Sequence, residues 1–220
     1  SSAASDVYKR QATSYTDISP IVNVVKSGLL DEIIGMDALT PELVYEKLFG
    51  FTSSRIASEN GWGKEALIRI SSAVDIACWD VLGHVGNLPL YKIFGGYNDK
   101  VPCYVTCAYY REGKDNSELR EEIQMLVEQG HKGFKGKVGG LSLSEDIARM
   151  EIVRDVIGEE NNLMVDVNRA WDLKTAIEGA KALEALQPTW LEEPVRWTDD
   201  RRELKLLSQR TNIPLSGGES

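Results

Sequence analysis

Residues 133–168 read GFKGKVGGLSLSEDIARMEIVRDVIGEENNLMVDVN, and this stretch changes rhythm twice. Residues 133–138 are a short β-rich run, 142–157 carry a helical pattern, and 163–167 are again β-rich. A strand, a helix and a second strand within so few residues imply two parallel strands joined by a crossover helix. Side chains two apart on a strand point the same way, so Lys135 and Lys137 share a face, as do Asp166 and Asn168.

The same alternation continues on either side. Strands are expected at 101–106, 190–192 and 214–216, and helices at 117–129, 173–186 and 200–209. Five parallel strands fit either an open doubly wound sheet or part of an eight-stranded barrel, and periodicity does not choose between them. No Gly-x-Gly-x-x-Gly follows the first strand, which counts against a dinucleotide site. Upstream the pattern is helical from 18 to 49, with Pro41 in a first turn capped by Thr40. Residues 51–62 (FTSSRIASENGW) read as a loop. A long helix is expected over 64–84, where Leu67, Ile70, Val74, Ala77 and Val81 form one apolar stripe. Gly86 and Asn87 end it, and Pro89 prevents its resumption.

The composition, 42% hydrophobic and 27% charged, is that of a globular protein. A formal charge of −9 without a basic stripe argues against nucleic acid as a partner. No apolar run is long enough for a membrane span, and no signal-peptide pattern opens the sequence, so a cytoplasmic location is expected. Cys78, Cys103 and Cys107 are an odd number with no framework or zinc-site spacing, and are expected to be reduced.

The chemistry-bearing residues all fall at carboxyl ends of expected strands: Lys135 and Lys137, Asp166 and Asn168, Glu192 and Glu193, and Glu219. In barrels and open parallel sheets that end carries the active site. Each motif alone has an ordinary reading. Lys-x-Lys is a solvated pair, Asp-x-Asn a helix cap, Glu-Glu-Pro a polar loop start, and Gly-Gly-Glu a turn. In order on consecutive strands they suggest one mouth. Three converging carboxylates would repel without a cation, and all-oxygen ligation suits Mg²⁺. Like charge and partial burial would depress the pKa of a paired lysine, making a neutral amine available as a base.

With these residues in place the chain resembles the mandelate racemase-like subgroup of the enolase superfamily. Lys135/Lys137, Asp166, Glu192 and Glu219 match its Lys-x-Lys and its acidic metal ligands. The intervals of 29, 26 and 27 residues from Lys137 through Asp166 and Glu192 to Glu219 match its spacing. Residues 73–96, AVDIACWDVLGHVGNLPLYKIFGG, resemble its last capping-domain helix and the run into the barrel. The resemblance implies an α/β fold: about five strands of a (β/α)8-type barrel over 99–220, preceded over 12–98 by the helical remainder of an α+β capping domain. It also implies a Mg²⁺-dependent lyase or isomerase that abstracts the proton α to a carboxylate, giving an enediolate. Asp166, Glu192 and Glu219 would hold the metal. Lys137 would be the base and Lys135 its electrostatic partner. Asn168 would contact substrate, and Glu193 would orient its neighbours.

Glu-Glu-Pro and a fifth-strand glutamate resemble the mandelate racemase-like subgroup, and a sugar-acid dehydratase is favoured because the resemblance implies that subgroup's commonest task. A racemase, epimerase or cycloisomerase is the alternative, and a non-catalytic sugar-acid or metal binder a further one. A response-regulator-like module would need acids clustered after the first strand, and residues 106–115 offer no such cluster. Residues 6–11, DVYKRQ, resemble a translated sequencing adapter, so 1–11 are expected to be a scar. The family's second acid/base would lie beyond Ser220. The stretch is therefore expected to be part of a longer, homo-oligomeric protein, and inactive and aggregation-prone when alone.

Overall fold

The structure is a computed structural model that describes residues 18–218. The adapter-like residues 1–11 and the expected metal ligand Glu219 lie outside the described residues. The chain divides into two compact units, one ending at Val101 and the other beginning at Pro102.

The first unit is helical: α1 (Ser19–Lys26), α2 (Pro41–Gly50), α3 (Arg55–Glu59), α4 (Lys64–Gly86) and α5 (Leu90–Ile93). The helical pattern of 18–49 is in fact broken. Gly28 takes φ +98° after α1, and only a short 3-10 turn, Leu29–Glu32, follows before α2. Pro41 does open α2, but Thr40 makes no side-chain cap; its hydroxyl donates back to Asp37 O at 2.7 Å.

The expected loop at 51–62 holds α3, because the Ser54 hydroxyl accepts from Ala57 N and starts the helix. Phe51 and Trp62 flank it in an edge-on pair at 5.6 Å, and the Trp62 indole donates to Ser27 Oγ at 2.6 Å. Helix α4 stops where Asn87 turns left-handed at φ 50° and Leu88 N–H returns to Gly83 O. Its stripe is buried only in the first half: Leu67 and Ile70 are in the core, while Val81 is 40% exposed.

The second unit alternates β1 (Val105–Cys107), α6 (Asn116–Glu128), β2 (Gly133–Lys137), α7 (Leu143–Ile157), β3 (Asn162–Asp166), α8 (Leu173–Leu183), β4 (Trp190–Glu192), α9 (Asp200–Ser208) and β5 (Leu215–Ser216). The five strands form one parallel sheet in chain order, the arrangement of a (β/α) barrel wall. The first strand starts later than expected, at Val105.

Alternation sorts the two faces. Phe134, Leu163, Val165, Leu191 and Leu215 turn toward the helices and pack with Ile123, Met150 and Leu183. Leu215 is half-buried, and each of the others, fully buried, stabilises the unit by roughly 1.5–3 kcal/mol. Gly136, between the two lysines, also faces outward. A Cβ there would meet Met150 Sδ at 2.6 Å, so the missing side chain lets α7 approach the strand. Among the described residues no helix is long and apolar enough to cross a membrane.

Candidate active site

The inner face of the sheet gathers the expected residues by register. Lys137 pairs with Asp166, Asp166 with Glu192, and Glu192 with Ser216, so four strands contribute one rung at their carboxyl ends. The ladder runs on past the strands, with Val138 N–H bonded to Asp166 O and Glu193 N–H to Ser216 O. The rung therefore sits on a hydrogen-bonded frame rather than on free loops.

Lys137 Nζ donates to Asp166 Oδ2 at 2.5 Å. Lys135 Nζ donates to Glu192 Oε1 at 2.7 Å and lies 3.3 Å from Asp166 Oδ2. These groups are withdrawn from water: side-chain exposure is 1% for Asp166, 11% for Lys135 and 16% for Lys137. A carboxylate so buried would cost several kcal/mol if left alone, and the two ammoniums offset that cost. The lysines are thus not a solvated surface pair. Nor does Asp166 cap the helix after it, because Asp172 does so through Thr175 N at 2.8 Å.

The electrostatics differ from the expectation for a lysine pair. Burial alone would push the Lys135 ammonium down. Its hydrogen bond to Glu192 and the charge of Asp166 outweigh burial and hold it above the ordinary lysine value. Two like charges do not decide the matter, because the neighbouring strands bring the Glu192 and Asp166 carboxylates within 2.7 and 3.3 Å of the Lys135 ammonium.

The loops that leave the rung are shaped by left-handed backbone. Asn168, Arg169 and Glu193 have φ of 49°, 66° and 43°. For residues other than glycine this costs on the order of 1 kcal/mol or more each. Two bonds hold the conformation: Asn168 N–H donates to Asp166 Oδ1 at 2.9 Å, and Arg169 N–H to Glu193 O at 2.7 Å. Asn168, expected to contact substrate, is exposed. Glu193 is only 6% exposed, and its Oε1 accepts from Gly218 N–H at 2.7 Å. It holds the turn that leads to position 219.

Two aromatic residues escaped the sequence reading. The Trp190 indole donates to Glu192 Oε2 at 2.9 Å, and the Tyr104 ring lies 5.4 Å from Lys135 Nζ, edge-on to Trp190 at 5.5 Å. The signal was present, since Trp190 lies two residues before Glu192 on the same inward face. Among the described residues no group of three or more His, Cys, Asp or Glu side chains is placed to hold a metal. Asp166 and Glu192 do present carboxylates on adjacent strands, and none of the side chains bonded to them is a histidine or cysteine. That donor chemistry fits a hard cation such as Mg²⁺.

Residues 118–220 match the enolase C-terminal domain-like family. Arabinonate dehydratase of Saccharolobus solfataricus is 38% identical over 149 residues, which cover 68% of this chain and 40% of that protein. L-talarate/galactarate dehydratase of Salmonella typhimurium is 32% identical over 191 residues, covering 87% of this chain and 46% of the relative. Racemases, epimerases and a cycloisomerase also match. Among solved structures, a racemase from Streptomyces coelicolor with bound magnesium superposes with a TM-score of 0.78 at 30% identity, over 93% of this chain and 55% of that one. The chain thus spans about half the length of the relatives it matches. By its strand order, its inner-face lysines and carboxylates and these likenesses, the chain belongs to the enolase superfamily, among the mandelate racemase/muconate lactonizing enzyme-like proteins.

Proposed function

We propose that this chain supplies the base and metal-binding side of a Mg²⁺-dependent sugar-acid dehydratase. The observation that carries the reading is the rung itself, with an amine, the buried carboxylate of Asp166, the half-buried one of Glu192 and strand-end placement in one register. Asp166 and Glu192, together with Glu219, would hold the ion, which when bound supplies positive charge against the substrate's carboxylate oxygens. Lys137, in its neutral amine form, takes the α-proton onto Nζ as the C–H bond breaks, and the electron pair spreads into the carboxylate to give an enediolate. In dehydration that pair then forms a double bond to the β-carbon as its C–O bond breaks, and the β-hydroxyl takes a proton from a general acid and leaves as water. Lys135 keeps positive charge beside the developing anion. Asn168 stands exposed at the mouth as a donor to substrate, and Glu193 holds the backbone ahead of Glu219. The substrate class rests on the two sugar-acid dehydratases among the relatives.

The test incubates the whole protein with Mg²⁺ and arabinonate, talarate or galactarate in D₂O, reading deuterium uptake and product by NMR. Dehydration with uptake is expected. Uptake without dehydration would instead favour a racemase or epimerase. Lys137→Ala should abolish uptake with Mg²⁺ affinity nearly unchanged, whereas Asp166→Ala should weaken metal binding first. Uptake retained in Lys137→Ala would remove Lys137 as the base.

A further inference from the structure

On the helix side of β2, α7 carries a buried ion pair that takes no part in the rung: Asp146 is 0% exposed and Arg149 8%. The Asp146 carboxylate accepts from the Tyr110 hydroxyl at 2.5 Å and from Gly139 and Leu141 N–H at 2.7 and 3.4 Å. The Tyr110 hydroxyl in turn accepts from Gly140 N–H at 3.0 Å. Three successive amides just beyond Lys137 are therefore held by two side chains.

Arg149 completes the device. It donates to Ala108 O at 2.6 Å, to Lys137 O at 3.2 Å and to Asp146 Oδ1 at 3.3 Å, and its guanidinium lies 4.1 Å from the Tyr110 ring centroid. The place of these contacts matters. The β1–β2 register ends at Cys107 and Gly136, so Lys137 has a ladder partner on β3 but none on β1. The planar, multiply donating guanidinium bridges the two strand exits where that ladder stops.

Helix α7 does not need this pair for its start, since Ser142 and Glu145 already form a capping box. Buried ion pairs are also a poor route to stability compared with apolar packing. What the pair adds is direction, at the peptide that aims the Lys137 side chain. We infer that Arg149, locked by Asp146 and Tyr110, is a positioning residue for Lys137. Its bearing on catalysis rests on the reading of Lys137 as the base.

The test compares Arg149→Met, Arg149→Lys and Tyr110→Phe with the parent protein. Lysine ammonium signals are read by ¹⁵N NMR, with the Lys137 signal assigned by its loss in Lys137→Arg. In folded Arg149→Met the Lys137 signal should be lost while that of Lys135 persists, and Arg149→Lys should restore part of it. With arabinonate and Mg²⁺, kcat for α-proton exchange should fall roughly 10²-fold with KM within about twofold. Both lysine signals unchanged, or both lost together in a folded variant, would overturn the inference. If Arg149→Met does not fold, Tyr110→Phe decides by the same signals, and an unmoved Lys137 there would also overturn it. Retained exchange in Lys137→Ala would sink the base reading alone, leaving the NMR comparison to judge the positioning.

Discussion

The two units bury opposite things. Among the described residues the helical unit buries one polar side chain, Ser71, which satisfies itself on Leu67 O at 2.8 Å. It leaves Ile76, Val81, Val85 and Phe94 between 40% and 68% exposed. The sheet unit buries Lys135, Asp146, Arg149, Asp166 and Glu193, along with Asn161. Charges are almost never buried unless something over-determines them. Here the sheet does so, because each charged group is held from a strand end or from the helix packed behind it. The contrast separates a unit held by apolar packing from one whose interior also carries chemistry.

The sharpest way to break the contrast is to remove the centre of the rung. Asp166→Leu leaves two poorly hydrated ammoniums with one carboxylate between them, and should destabilise the protein by about 3 kcal/mol, the low end for a broken buried pair. Adding Lys137→Met should recover much of that loss, since apolar replacement of both partners is often near neutral. Urea unfolding checks both. A double variant as unstable as the single one would mean the rung is held by something other than charge pairing.

A smaller effect is expected on the other face of the same strand. Gly136→Ala drives a Cβ into Met150 and should cost about 1–3 kcal/mol through overpacking. Met150→Ala in that background should relieve the clash. The smallest effect belongs to the helical unit, where Val85→Ser at a 68% exposed position should shift stability by no more than about 0.5 kcal/mol. A loss above 1 kcal/mol there, measured on the same protein, would show that this face is covered and the contrast overstated.

Much of the sheet unit was legible because two periods superpose in it. Period two put Lys135 and Lys137 on one face and Phe134 on the other, and the intervals placed Asp166 and Glu192 on successive strands. The buried partners on α7 were not legible, since Asp146 and Arg149 on a helix look like any solvated pair. Their contacts with the β1 exit, distant in sequence, and with the β2 exit turn them inward. The raised Lys135 ammonium was missed for the same reason: it depends on Glu192, 57 residues away. In the helical unit, α3 was hidden by its own composition. Ser, Thr and Asn suggest a loop, yet Ser54 caps a helix that Phe51 and Trp62 anchor. Glu219 remains a reading of the sequence, outside the described residues.

The rung has a consequence for how such a protein can diversify. Its four residues are bound to one another by strand register, while the segments between them lie outside that register. A residue inserted inside β3 would turn Asp166 toward the helices and disassemble the arrangement at a stroke. A residue inserted in the connection between α7 and β3 would leave it untouched, at a small entropic cost. Innovation is thus channelled into the connecting segments, where new contacts to new molecules can be tried without risk to the reacting groups. The scaffold separates what must be inherited intact from what can be revised.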